Sequence, residues 1–314
     1  MKGEQIVCNI QTKELIMNPL FSQKLSQYIN LQRVFTITLA CLTLSLQACA
    51  DLEGEDSFES EDKVIGGKVV RRPPGHIAGL FRPESFCTGS LIADNAILTA
   101  AHCVADEEGS TAEVEAEIEA GQFLVCLGQR DLRNCSIQNM AFVTKVRLNN
   151  YDPSTSNNDI AVLKLDRKFK NVKKAKLPRN NTKVSGRTQS LGYGLTSSPT
   201  IDIVTEEVVV EGDSTPLLHS LKSRVVKTSQ CNKLRGRLGF PNVHAGEVCI
   251  KVNANSNLCK GDSGGPTFIK GTLVAVTSRG TPRIERETSV CDGSGPTVLT
   301  GVKKHLNFIR RAIR

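Results

Sequence analysis

Seven short apolar runs, each bounded by turn-forming residues, are the feature that most restricts the fold of this 314-residue chain. The runs are SLIADNAILTA, GQFLVCLG, MAFVTKVRL, DIAVLKL, EEVVVEG, TLVAVTS and PTVLTGV. They are rich in β-branched residues with no long helical pattern between them, which predicts an all-β sandwich or barrel of antiparallel strands. The last stretch differs, because apolar residues recur at helical spacing in VKKHLNFIRRAI. This spacing predicts a C-terminal amphipathic helix over residues 302–314.

An uncharged, mostly apolar run of 15 residues, VFTITLACLTLSLQA, occupies residues 34–48. It is too short to span a bilayer comfortably and ends in small residues, so residues 1–49 are predicted to be a secretory signal peptide. Two cleavage sites fit its end. The sequence LQAC resembles the lipobox of bacterial lipoproteins, in which Cys49 would carry the lipid, whereas ACA suits ordinary secretion. We prefer the first and expect a bacterial secreted protein or lipoprotein, located extracellularly, in the periplasm or on the outer membrane.

Two acidic segments interrupt this pattern. Residues 51–63, DLEGEDSFESEDK, contain seven acidic residues in thirteen and almost nothing to bury, so residues 50–63 are predicted to be a flexible tether. Residues 106–119, DEEGSTAEVEAEIE, also contain seven acidic residues. We interpret this insertion as an exposed loop or hairpin, with a solvent-facing strand as the alternative.

The rest of the chain is basic, since residues 64–314 hold 35 Lys and Arg against 23 Asp and Glu. A basic face attracts acidic lipids, nucleic acid or acidic substrates, although a solvated face that favours solubility is the simpler interpretation. Aromatic residues make up 4% of the chain and Trp is absent, which argues against single-stranded nucleic acid as a partner. We expect a monomer that does not bind nucleic acid.

Eight cysteines remain when the three in residues 1–49 are set aside. An even number in a secreted chain indicates disulfides, and C-x-x-C pairs with metal-ligand spacing are absent from the sequence. The sequence therefore predicts disulfide bonds and neither a metal site nor an organic cofactor. The eight are Cys87, Cys103, Cys126, Cys135, Cys231, Cys249, Cys259 and Cys291.

The stretch LCKGDSGGPTF places Ser263 in a bend rich in glycine. A serine hydroxyl is a weak nucleophile, so it needs an imidazole to take its proton, a carboxylate to orient that imidazole, and N–H donors for the oxyanion. Glycines on both sides let the amides of Gly261 and Ser263 converge on one point. A histidine closes the apolar strand in LTAAHC, at His102, and an aspartate opens another in NDIAVLKL, at Asp159.

These motifs, in the order His102, Asp159, Ser263, resemble the chymotrypsin-type (trypsin-like) serine endopeptidases from Val64 to the end of the chain. The resemblance implies two six-stranded antiparallel β-barrels followed by a C-terminal α-helix. The peptidase domain would cover residues 64–314, with barrels at about residues 64–178 and 179–301. It also implies hydrolysis of peptide bonds in proteins or peptides through an acyl-enzyme.

The resemblance assigns a role to each position. Ser263 would be the nucleophile and His102 the general base and acid, with Asp159 orienting the imidazole and Gly261 and Ser263 forming the oxyanion hole.

The resemblance also implies that the chain is a zymogen. Cleavage between Lys63 and Val64 would free an ammonium group that pairs with the buried Asp262, so residues 50–63 would be a propeptide. We expect a separate trypsin-like protease to make that cut.

The resemblance further implies the disulfide pairs Cys87–Cys103, Cys231–Cys249 and Cys259–Cys291, which leaves Cys126 and Cys135 to pair locally. It places the specificity pocket at Asn257, Lys260, Ser278, Arg279, Gly280 and Thr297.

The pocket departs from the family pattern. Asn257 stands where members that cut after Lys or Arg have aspartate, Thr297 should narrow the site, and Arg279 replaces an aromatic wall with a cation. These changes predict a small, polar or acidic residue at the cleaved position. Acidity from Glu285, Glu287 or Asp292 would instead restore basic specificity. The alternative function is a catalytically silent homologue that acts as a binding protein, with substrates blocked by Arg279 and the charged loop at residues 281–290.

Overall fold

The computed structural model describes residues 67–197, 200–202, 208–210, 213–251, 256–285, 288–291 and 295–314. The predicted signal peptide, the acidic tether and the Lys63–Val64 bond lie outside the described residues.

The strands are β1 Lys68–Val69, β2 Ile77–Phe81, β3 Phe86–Ala93, β4 Ala96–Thr99, β5 Leu124–Leu127, β6 Met140–Leu148, β7 Ala161–Leu165, β8 Arg187–Gly192, β9 Thr200–Asp202, β10 Val208–Val210, β11 His219–Val226, β12 Glu247–Lys251, β13 Pro266–Ile269, β14 Thr272–Arg279, β15 Arg283–Glu285, β16 Thr288–Val290 and β17 Thr297–Gly301. The α-helices are α1 Ala112–Glu119, α2 Thr228–Arg237 and α3 Leu306–Ala312, and 3-10 helices cover Leu132–Asn134 and Val302–His305.

The N-terminal barrel closes in the strand order β2-β3-β4-β7-β6-β5. Apolar side chains of its strands form one buried cluster, which includes Leu80, Leu91, Ile97 and Leu163. Because β4 pairs with β7 in an antiparallel register with Thr99 opposite Ala161, the end of β4 meets the start of β7. This register determines where two of the predicted site residues meet.

The C-terminal barrel contains β8, β11, β12, β17, β14 and β13, and it closes through the pairing of β11 with β8. Strand β1 adds to β11, and β10, β9, β16 and β15 form a separate four-stranded sheet. The fold class predicted from the sequence is therefore confirmed: two closed six-stranded antiparallel barrels followed by a C-terminal helix. The barrel limits proposed from the sequence, at residues 64–178 and 179–301, stay predictions.

Helix α1 occupies the acidic insertion, where the sequence favoured a loop, a hairpin or a strand. Glu alternates with Ala, Val and Ile in this segment, which is a pattern typical of a strand. Most of these residues, Glu and Ala in particular, are however good helix formers. The helix is held to the barrel on one side, because Val114 is buried and Glu117 forms a bidentate pair with Arg82, at 2.6 Å and 3.1 Å. The acidic insertion is thus a docked helix with one face in the protein.

Three disulfides are formed among the described cysteines, Cys87–Cys103, Cys126–Cys135 and Cys231–Cys249. The fourth predicted pair, Cys259 with Cys291, is not joined in the structure, although both residues are described. Instead the Cys291 sulfur lies 3.5 Å from the Leu258 carbonyl oxygen and from the Asn257 amide nitrogen. Each helix within the described ranges is too short or too polar to cross a bilayer.

Candidate active site

His102 and Asp159 come together because their strands are paired. His102 follows β4 by three residues and Asp159 precedes β7 by two, at the same end of the antiparallel pair. Asn158 adopts a left-handed backbone conformation with φ 56°, which turns the chain into β7 at this point. The Cys87–Cys103 disulfide ties the residue after His102 to β3. The pairing of β4 with β7 and the disulfide to β3 therefore together determine the position of the His102 imidazole.

The Asp159 carboxylate is 1% exposed and accepts three hydrogen bonds. The backbone N–H of His102 donates to Oδ1 at 2.9 Å, while His102 Nδ1 and the Ser278 hydroxyl both lie 2.7 Å from Oδ2. An ionised carboxylate can only accept, so the Nδ1 atom carries a hydrogen and Nε2 is left as the basic nitrogen. This arrangement holds the imidazole in the tautomer that a general base requires.

The two groups shift each other's pKa in opposite directions. Burial would lower the pKa of His102, but the charge of Asp159 and its hydrogen bond raise that pKa above its ordinary value. Burial would raise the pKa of Asp159, but His102 and the Ser278 hydroxyl lower it below its ordinary value. Asp159 is therefore charged, and His102 holds a proton more tightly than a free imidazole does.

Ser263 lies in the tight loop before β13, against the N-terminal barrel. Gly264 has φ +73°, and a Cβ there would lie 1.9 Å from the Thr99 hydroxyl oxygen, so no other residue fits. Thr88 of β3 bonds this loop twice, since its N–H donates to the Ser263 carbonyl at 2.9 Å and its hydroxyl donates to the Gly261 carbonyl at 2.8 Å. The carbonyls on both sides of Asp262 are thus held by the other barrel.

The amide groups of Gly261 and Ser263 donate to no acceptor within the described part of the chain. Gly261 has φ +90°, a conformation that other residues rarely adopt, and a Cβ there would lie 2.9 Å from Gly194 Cα. Two unengaged N–H donors in a loop held by Thr88 are able to bind an anionic oxygen.

A cavity of about 420 Å³ brings the predicted residues together, since His102, Ser263, Gly261 and Lys260 all line it. Arg82, which anchors helix α1, lines the same cavity. His102 also clusters with Cys87 and Cys103, whose ligand atoms lie within 4.8 Å of one another. Those sulfur atoms are joined in a disulfide, so they are not available as thiolate ligands to a metal.

Asp262 is fully buried beside the nucleophile loop. Its carboxylate accepts the N–H groups of Cys259 and Gly194, both at 3.0 Å, and forms no ion pair with a described residue. Burial raises its pKa to about 7, although these two hydrogen bonds act to lower it. Gly194 is required by this contact, because a Cβ there would lie 2.4 Å from the carboxyl carbon. Val64, the predicted partner, is outside the described residues.

The floor of the predicted specificity pocket is polar and neutral. Asn257 is 1% exposed, and its Oδ1 accepts bonds from the Thr297 hydroxyl at 2.8 Å and from the Leu258 N–H at 2.9 Å. Its amide nitrogen has a weaker partner, the Cys291 sulfur at 3.5 Å. Thr297 is therefore hydrogen-bonded to the floor that it was expected to narrow.

Arg279 differs from the expectation that it adds a free positive charge. Its guanidinium forms a bidentate pair with Glu247, at 2.6 Å and 2.9 Å, and the Glu247 side chain is 5% exposed. Most of its charge is neutralised there. Lys260 is exposed at the cavity, and a Cβ at Gly280 would meet nothing within 4 Å. The side chain of Glu285 and all of Glu287 and Asp292 lie outside the described part.

Two residues of this site, and one hydrogen bond of a third, were not predicted from the sequence. Thr88 directly follows Cys87, but nothing in its local sequence indicates a contact with a loop more than 170 residues away. Glu247 gave a weak signal, as an acidic residue two positions before Cys249. Ser278 was predicted at the pocket edge, and the hydrogen bond that its hydroxyl donates to Asp159 was not predicted.

The chain matches the family model described as Trypsin over residues 64–309, and it belongs to that family. Members that it resembles include proteases of animals. The chain is 27% identical over 231 residues to a protein named Chymotrypsin from Phaedon cochleariae, covering 71% of each chain. It is 27% identical over 256 residues to Kallikrein-7 from Homo sapiens, covering 79% of this chain and 87% of that protein.

Solved structures support the fold. Human heparin binding protein aligns with a TM-score of 0.59 and 24% identity, covering 79% of this chain and 96% of that one. A scabies mite inactivated protease paralogue aligns with a TM-score of 0.61 and 21% identity, covering 80% of this chain and 97% of that one. At these identities the likeness concerns the fold alone.

Proposed function

We propose that this chain is a serine endopeptidase that hydrolyses peptide bonds through an acyl-enzyme. The observation that carries the proposal is the hydrogen-bonded group of Ser278, Asp159 and His102 at a cavity that also contains Ser263. A buried carboxylate with three donors serves to orient and charge-stabilise an imidazole, which is the support that a serine nucleophile needs. Family membership is in accord with this chemistry.

In the proposed mechanism, the Ser263 oxygen attacks the scissile carbonyl carbon while His102 Nε2 takes the hydroxyl proton. The carbonyl oxygen becomes an oxyanion and accepts the N–H groups of Gly261 and Ser263. The protonated imidazole, stabilised by Asp159, then gives its proton to the leaving amine as the C–N bond breaks. Water attacks the ester by the same sequence of proton transfers and frees Ser263.

Labelling with a fluorophosphonate tests this proposal against the silent binding-protein alternative. We expect one label per chain on Ser263 after cleavage at Lys63–Val64, and none in Ser263→Ala. His102→Ala is a matched control that keeps the nucleophile but removes its base, so its labelling rate should fall by at least about 100-fold. A cleaved, folded chain that neither labels nor hydrolyses peptides would contradict the enzyme proposal and favour the alternative.

The chain is further proposed to be a zymogen that becomes active when the Lys63–Val64 bond is cut. Support comes from Asp262, a buried carboxyl group for which the Val64 ammonium would supply the missing cation. Lys63→Gln should block trypsin-like activators and leave the chain inactive. Purified wild-type zymogen, incubated alone, should stay uncut, because Asn257 disfavours cleavage after lysine. Activity of Lys63→Gln would refute activation by cleavage at Lys63–Val64. Rapid concentration-dependent self-processing of the wild type would refute the need for a separate activating protease.

The proposed cleavage specificity is for a small, polar or acidic residue. The pocket floor offers amide and hydroxyl groups of Asn257 and Thr297 and no described carboxylate. A peptide library cut by the activated protein should show this preference directly. In Asn257→Asp, a buried carboxylate should raise kcat/KM for substrates with Arg or Lys at the cleaved position by about tenfold or more. Strong basic preference in the wild type would overturn the assignment.

Secretion is proposed on the basis of the disulfides and the apolar run at residues 34–48. Cys49 is proposed as the lipid-bearing residue of a bacterial lipoprotein. Expression in a bacterial host with a labelled fatty acid should label the wild type but not Cys49→Ala, and an unlabelled, freely secreted wild type would favour the ordinary signal-peptide site.

A further inference from the structure

A second groove, of about 620 Å³, lies on the outer wall of the C-terminal barrel. It shares no lining residue with the cavity that contains Ser263. Strands β8, β11 and β12 supply most of its wall, and the segment that ends β13 supplies the rest. Its charged lining residues are all basic: Arg187, Lys222, Arg224, Lys251 and Lys270.

The strand register places three of these cations in one row. Arg224 of β11 lies directly opposite Arg187 of β8 on one side and Lys251 of β12 on the other. Directly paired residues share a face of the sheet, and neighbouring strands are about 4.8 Å apart, so three positive side chains follow one another across adjacent strands. Lys222 lies two residues from Arg224 and therefore on the same face.

Among the residues that the structure describes, none supplies this row with a compensating negative charge. None of the five cations forms an ion pair with a described residue, and all five are exposed. Other basic residues of this chain do have carboxylate partners, for example Lys174 with Asp94 at 2.5 Å and Arg279 with Glu247. Like charges directly opposite in a sheet are destabilising. A triple row without acids therefore costs the isolated chain stability, and a bound polyanion would remove that cost.

We propose that this groove binds a sulfated polysaccharide along the row of Arg187, Arg224 and Lys251. Several guanidinium and ammonium groups in line suit successive sulfate groups, and arginine in particular binds tetrahedral oxyanions through two donors at once. Gln189, exposed and opposite Lys222, offers an amide donor and acceptor to sugar hydroxyls between the charges.

The groove is less suited to the other common polyanions. Phe268 is the only aromatic residue among the described lining residues and is 9% exposed, so it provides no surface on which nucleic acid bases could stack. The described lining also offers no exposed apolar side chain to insert into a bilayer. A flexible, hydroxyl-rich chain fits it better than a base or a planar membrane surface.

The test measures binding of a fluorescent dextran sulfate oligosaccharide to the full chain by anisotropy at about 0.15 M salt. The groove variant is Arg187→Gln with Arg224→Gln and Lys251→Gln. The matched control removes the same charge from the C-terminal helix and its approach, by Lys303→Gln with Arg310→Gln and Arg311→Gln. We expect the groove variant to weaken binding by about tenfold or more and the control by about twofold or less.

Four further readouts decide the proposal. Binding should weaken steeply with added salt, and unsulfated dextran should not bind. The groove variant should be at least as thermostable as the wild type at low salt, and its peptide hydrolysis after activation should be unchanged, which separates this site from the proposed active site. An equal loss of dextran sulfate binding in the groove variant and the control variant would show that the binding site is not in this groove. Tighter binding of a single-stranded oligonucleotide or of phosphatidylserine vesicles would overturn the polysaccharide assignment.

Discussion

The buried carboxyl group of Asp262 should make the stability of the uncleaved chain depend on pH. Burial, partly offset by hydrogen bonds from the backbone N–H groups of Cys259 and Gly194, raises its pKa from 3.8 to about 7. Between these two values the folded state binds more protons than the unfolded state. The free energy of unfolding therefore decreases as the pH rises from about 4 to about 7.

The size of this loss follows from the two pKa values. The difference between 3.8 and about 7 corresponds to about 4 kcal/mol, and it applies in full because the carboxyl group is 0% exposed. Cleavage at Lys63–Val64 would add an ammonium partner, which favours the charged carboxylate and lowers its pKa. The cleaved chain should therefore lose much less stability over the same pH range.

The assay is urea unfolding at four pH values from about 4 to about 7, with Ser263→Ala in every chain to prevent self-digestion. Uncleaved and cleaved chains are compared, so that other groups that titrate in this range, including His102, contribute equally to both. Asp262→Asn in the uncleaved chain is the matched control and should lose this pH dependence. If the uncleaved chain and its Asp262→Asn variant lost stability with the same slope over this pH range, the reasoning would be refuted.

Three other predictions concern the candidate active site. Because His102 must be neutral to act as a base and its pKa is raised, activity should fall with decreasing pH at a midpoint above 6.5, and a midpoint below that value in a kcat/KM profile would contradict the assignment. Ser278→Ala removes a hydrogen bond to the charged Asp159 and should reduce kcat/KM by about 10- to 100-fold with the fold intact by circular dichroism; an unchanged kcat/KM would exclude a supporting role. Gly264→Ala should reduce the free energy of unfolding by at least about 2 kcal/mol more than Gly271→Ala, since both have φ +73° but the Cβ at the second would meet nothing within 4 Å. Equal losses in urea unfolding would show that crowding is not the cause.

Features that depend on local pattern were predictable from the sequence. Apolar alternation and turn residues indicated the strands, and helical spacing indicated the C-terminal helix, which the structure has at Leu306–Ala312 after a 3-10 turn at Val302–His305. The motifs around His102, Asp159 and Ser263 were informative because each includes several neighbouring residues. The acidic insertion was misread, because its Glu and apolar residues alternate along the chain while its helical face is set by a distant residue, Arg82.

Features that depend on contacts between distant residues were not predictable. The charge of Arg279 was expected to add to the pocket, but its partner Glu247 lies 32 residues away and only the folded structure brings them together. Three of the four predicted disulfides are formed, whereas Cys259 and Cys291 are not joined, since their positions depend on loop geometry that no local pattern determines. The basic groove likewise arises from the register of three strands that are far apart in sequence.

The two hydrogen bonds from Thr88 to the Ser263 loop have a consequence for how activity is lost. They connect a strand of one barrel to the nucleophile loop of the other. A small rotation of one barrel against the other would release both carbonyls and misalign the adjacent amides, while each barrel kept its own core. Heating or dilute denaturant should then inactivate the protein before either β-barrel unfolds. Loss of catalysis would therefore be an early sign of movement at the interface between the two barrels.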